Sequence, residues 1–76
     1  MEYLATFPNQ MQALEYARAL TRRGISNRLM PRPRTLEASC GTAVRFTTDM
    51  PADALLTLAP IKKLYRIENG GYRPIA

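Results

Sequence analysis

Turn-forming residues punctuate this chain so regularly that they limit what it can fold into. Pro8-Asn9, Gly24, Pro31-Arg32-Pro33, Gly41, Asp49 to Pro51, Pro60 and Asn69-Gly70-Gly71 cut it into short segments. Each segment has room for one strand or one helix. Tyr3 to Phe7 alternates weakly and is rich in aromatic residues, which predicts a strand. Asn9, with Gln12 three residues later, has the form of a capping box whose amide oxygen accepts an orphan helix N–H. From Gln10 to Arg23 the spacing is helical, with Ala13, Leu14, Ala17 and Leu20 on one face. Arg22 and Arg23 fall in the last turn, where cations suit the macrodipole, and Gly24 is placed to follow the C-cap.

Ile25 to Met30 reads as a second strand, and the prolines after it start a loop that runs to about Gly41. Thr42 to Thr48 is a third strand, with Val44 and Phe46 sharing one face. Asp49 is the expected cap of a second helix, with Pro51 in its first turn, Leu55, Leu58 and Ala59 as its apolar stripe, and Pro60 as its stop. Leu64 to Glu68 makes a fourth strand, after which Asn69-Gly70-Gly71 turns into a short tail carrying Tyr72 and Ile75. The order β-α-β-β-α-β predicts an α+β fold, the ferredoxin-like sandwich: a four-stranded antiparallel sheet with both helices on one face. At 76 residues the chain is one domain, 1–76, of modest stability.

Composition narrows the chemistry. Hydrophobic residues make up 46% of the chain, too many for a disordered segment. There is no histidine and one cysteine, Cys40. Ser–His and Cys–His pairs are therefore excluded, and a metal site of imidazole or thiolate ligands is not expected. A lone thiol points to a reducing compartment, and the N-terminus has no basic region or long apolar run, so a cytoplasmic location without membrane attachment is expected. Nine of the eleven basic residues are arginine, and the net charge is +5. Arg18, Arg22, Arg23, Arg28, Arg32, Arg34 and Arg45 share a stretch with a single acid, Glu37. Such a field suits an anionic partner, or it keeps a solvated surface soluble. Tyr16 reads as a helix-edge residue with a wet hydroxyl, and Met11, Met30 and Met50 as gap-fillers in the core.

Cys40 falls at the end of the loop, before a strand and off any apolar stripe. Gly41 beside it permits close approach of a main chain or ligand, and Arg32, Arg34 and Arg45, if they are close in space as in sequence, would favour thiolate over thiol. The alternative is a small buried hydrophobe, the usual fate of a free cysteine. Spacing leaves both open.

The segment Pro33-Arg34, then Leu36, then Ser39-Cys40-Gly41, then Ala43 and Arg45-Phe46 resembles the signature of the selenium/sulfur carrier-like family of small bacterial domains. The similarity takes in Leu4 to Pro8, the Ala-Leu helix ending at Gly24-Ile25, and Leu64-Tyr65-Arg66-Ile67. It departs from the commoner pattern at Glu37-Ala38, where small hydroxyl residues are frequent. The resemblance implies that Cys40 is a carrier thiol, holding sulfur or selenium as a persulfide or selenosulfide. On that reading Ser39 hydrogen-bonds the sulfur, Gly41 supplies an N–H, and Arg34 and Arg45 stabilise the anion. The partners would be donor and acceptor proteins, and the role is that of a carrier rather than a turnover enzyme, with no cofactor. The alternative is a regulatory or protein-binding module with Cys40 structural. RNA binding is disfavoured, since Gly41 to Phe46 lacks the aromatic signature of an RNA-recognition motif. A homodimer covering a sheet edge or the open face stays open.

Overall fold

The computed structural model describes residues 1–36 and 41–75. Seven elements follow one another: β1 (Glu2–Thr6), α1 (Gln10–Arg22), β2 (Asn27–Pro31), β3 (Thr42–Thr47), α2 (Ala52–Leu58), β4 (Lys63–Glu68) and β5 (Gly71–Pro74). The strands form one sheet in the order β2-β3-β1-β4-β5, every neighbouring pair antiparallel. The first four strands thus have the ferredoxin-like arrangement, and both helices pack on one face.

The fifth strand is an addition to the expected four. Asn69 and Gly70 both take positive φ, 53° and 73°, the backbone of a type I′ hairpin turn. That turn matches the twist of the strands it joins, so the chain folds straight back along β4. Glu68 pairs with Gly71 and Ile67 with Tyr72. The residues expected to form a tail become an edge strand.

Local chemistry explains the helix ends. The Gln12 N–H donates to Asn9 Oδ1 at 2.9 Å, the expected cap. At the other end the Gly24 N–H donates to the Thr21 carbonyl and the Ile25 N–H to the Leu20 carbonyl, both at 3.0 Å. With Gly24 at φ 76°, this is a Schellman motif. It consumes Ile25, which is why β2 begins at Asn27 rather than at Ile25. Pro31 ends β2, and a proline is tolerated there because β2 lies at the sheet edge. Helix α2 starts later than expected: Pro51, not Asp49, stands at its N-cap, with no side-chain cap hydrogen bond.

Strand alternation divides the apolar residues between two clusters. Tyr3, Ala5, Val44, Phe46 and Leu64 face the helices and pack with Phe7, Ala13, Tyr16, Ala17, Leu20 and Leu55. On the open face the buried apolar cluster of the described residues is Leu4, Ala43 and Tyr65, with Met30, Leu36, Ile67 and Tyr72 packed against it. Eleven buried residues against three make the helix side the main source of stability, at about 1.5–3 kcal/mol for each large side chain. Tyr16 is the correction here. It is fully buried at the centre of this layer, with its ring near Phe7 and Phe46. Its hydroxyl donates to the Leu55 carbonyl at 2.9 Å, tying α1 to α2, and burial pushes the phenol up to about 12. Met11 is exposed rather than filling the core, whereas Met30 and Met50 do pack against it.

Candidate functional site at the loop between β2 and β3

The loop joining β2 to β3 leaves and re-enters the sheet at one point. There the Arg32 N–H donates to the Gly41 carbonyl at 2.8 Å, one step beyond the Pro31–Thr42 pair that ends the β2–β3 ladder. After that neck, the Leu36 N–H donates to the Pro33 carbonyl at 3.1 Å, forming a turn. Leu36 then packs onto the Leu4, Ala43 and Tyr65 cluster. The first part of the loop therefore lies against the open face of the sheet.

Arg32 anchors the neck. Only 7% of it is exposed, and its Nη2 donates to the Phe7 carbonyl at 2.9 Å. That carbonyl lies just beyond the end of β1, so the side chain crosses from the edge strand to the sheet centre. The guanidinium covers the α-carbon of Gly41: a β-carbon there would overlap its Nη2, Cζ and Nε atoms. A side chain at position 41 would therefore force the guanidinium to move. Thr6 adds a polar group at the same end of the sheet. It pairs with Ala43 across the β1–β3 ladder, and its hydroxyl is buried without a hydrogen-bond partner among the described residues. Such a group is uncommon in a folded interior.

The expected site residues divide between the two ends of this region. Gly41 is half-buried at the neck, under Arg32. Arg34 is exposed in the Arg34–Leu36 turn. Arg45 points to the open face further along β3, where its Nε meets Glu2 Oε2 at 2.6 Å. Hydrogen bonding to Arg45 holds the Glu2 carboxyl below the usual carboxylate range, and the same bond raises the guanidinium. Cys40 and Ser39 lie outside the described residues. Among the described residues no group of three acidic, cysteine or histidine side chains is placed to hold a metal ion. Nor is any helix among them long and apolar enough to cross a membrane.

The sequence counts Arg32 among the arginines near Cys40 but gives no sign that it is the one lying over Gly41. Its neighbours Arg34 and Arg28 look equivalent in the sequence, and only the β2–β3 register turns one of them onto Gly41. A family model described as Putative Se/S carrier protein-like matches residues 2–66 of the chain. The chain belongs to that family. No curated protein and no solved structure matches it. The matched span of this Se/S carrier-like domain takes in β1 to most of β4 and the whole of the loop that carries Cys40. The match ends at residue 66, before the hairpin into β5.

Proposed function

We propose that this domain carries sulfur or selenium on Cys40 and hands it to an acceptor protein. The family match across the Cys40 loop carries this reading. A buried cation beside the residue after Cys40, and a loop closed at its neck by the Arg32–Gly41 hydrogen bond and tied to Phe7 by the Arg32 side chain, support it. A nearby guanidinium favours the thiolate, the nucleophilic form of cysteine.

In the loading step the Cys40 thiolate attacks the outer sulfur of a donor persulfide. The new Cys40 S–S bond forms as the donor's S–S bond breaks, and the donor leaves as a thiolate. In delivery an acceptor thiolate attacks that outer sulfur, and Cys40 leaves as a thiolate. The sulfane atom moves with no net oxidation, so a carrier of this kind needs no further redox partner. A selenium cargo would follow the same steps through a selenosulfide. Ser39 and Gly41 would offer hydrogen bonds to the carried atom, with Arg34 and Arg45 contributing positive charge at longer range.

Intact mass before and after incubation with a low-molecular-weight persulfide tests the proposal. The expected result is the mass of one added sulfur, removed by reductant and absent from Cys40→Ser. Loading that persists in Cys40→Ser, or a wild-type mass that never changes, would overturn it.

A further inference from the structure

Among the described residues strand β2 pairs with β3 alone, which leaves the backbone N–H and C=O groups on its other side without a sheet partner. Its side chains do little to cover them: Arg28, Leu29 and Pro31 are exposed, Leu29 to 40%. An edge of this kind accepts an added strand readily.

Charge indicates what kind of strand. Arg22 and Arg23 stand at the end of α1, and the Asn27 side chain binds Thr21 at 2.9 Å, so β2 starts beside them. Arg28 lies within the strand and Arg34 in the turn beyond it. All four are exposed, and among the described residues none has an acidic partner. Within the sheet Arg28 stands directly opposite Arg45, and Glu2 is bonded to Arg45. Like charges facing one another across a ladder are unfavourable, and Glu2 compensates Arg45 but leaves Arg28 without an acidic partner among the described residues. The opposite edge differs: on β5 Arg73 is bonded to Glu68 at 3.0 Å. An incoming acidic segment is therefore drawn to β2 and not to β5. A second copy of the chain fits poorly here, because pairing β2 with β2 would bring two arginine clusters together.

We infer that β2 is a docking strand for an extended, acidic segment of the protein that supplies the chalcogen to Cys40 or removes it. The inference rests on the carrier reading for the partner's role. The position suits that role, since β2 continues through Arg32 into the loop that carries Cys40. A strand added along the five residues of β2 spans about 17 Å and ends at the neck of that loop.

The test uses the full chain, isotopically labelled for amide NMR, with a ten-residue peptide of alternating glutamate and valine as the probe. A glutamine–valine peptide of equal length serves as its uncharged control. The acidic peptide should shift the amides of residues 27–30 and slow their hydrogen exchange. Its binding should weaken about tenfold between low and moderately high salt, and about tenfold or more in Arg23→Glu/Arg28→Glu. Both substitutions are at exposed positions, and an unchanged thermal midpoint would show that the variant folds. Equal binding of the two peptides, shifts confined to β5 or to the helices, or tighter binding of a single-stranded RNA at the same residues would each overturn the inference. The assay involves no chalcogen, so it can fail while Cys40 still loads, or succeed while Cys40 does not.

Discussion

Alanine at position 41 would put a methyl group where the Arg32 guanidinium lies, inside contact distance of Nη2, Cζ and Nε. The backbone at Gly41 is tied to Arg32 by the neck hydrogen bond, so the side chain must give way. Moving it breaks the bond from Nη2 to the Phe7 carbonyl and leaves that acceptor without its charged donor. A hydrogen bond to a charged group contributes about 1.5–3 kcal/mol, so Gly41→Ala should cost about 2 kcal/mol. For a domain of this size that corresponds to a fall in Tm of about 8–16 °C. A double-mutant cycle isolates the cause. Arg32→Met alone should cost about the same, because it orphans the same carbonyl. In the Arg32→Met background, Gly41→Ala should then cost less than about 0.5 kcal/mol, because the rigid group it collides with is gone. Urea unfolding of the four proteins, with equal m-values, measures every corner of the cycle. Additive costs, or a neutral Gly41→Ala in the wild type, would refute the account of the neck given above.

Two further changes probe the core and the first helix. Tyr16→Phe removes the buried bond to the Leu55 carbonyl and should cost about 1–2 kcal/mol by urea unfolding at neutral pH. The tyrosine also titrates higher in the folded protein, at about 12 against 10. Its stabilising contribution is complete below pH 10 and is lost as the pH rises from there through 12, since only the unfolded chain releases the proton in that window. Unfolding curves at pH 9 and pH 11.5 should show wild type losing more stability than Tyr16→Phe across that interval; parallel losses would remove Tyr16 as the cause. At the start of α1, Asn9→Ala deletes the cap on Gln12 and should cost about 1 kcal/mol. Asn9→Ser, which keeps an acceptor, should recover most of that, and equal losses in the two variants would argue against a capping role.

Much of the architecture is legible in short stretches of sequence. Asn9 and Gly24 mark the ends of α1 because the groups they satisfy lie within a few residues, and period-two alternation assigns Val44 and Phe46 to one face of β3. The hairpin into β5 is encoded as locally, in the positive-φ preference of Asn69-Gly70, though it reads as a tail when the residues after it are judged only by length. The delayed start of β2 also has a local cause, since the Schellman motif takes Ile25. Other relationships have no local signature. Arg32 meets Phe7 across 25 positions, Tyr16 meets Leu55 across 39, and Arg45 meets Glu2 across 43.

By itself the sequence determined the order of elements, their caps and turns, the inward faces of its strands, and a single thiol in a loop with no histidine to assist it. Only the tertiary structure decided which arginine covers Gly41, which is held by Glu2, and which stand beside an open sheet edge with no acidic partner among the described residues. The physical reason is that propensity, capping and alternation act between near neighbours along the chain. The surroundings of a charged side chain are set by strand register, which places residues from distant segments opposite one another and decides which of several similar arginines is buried.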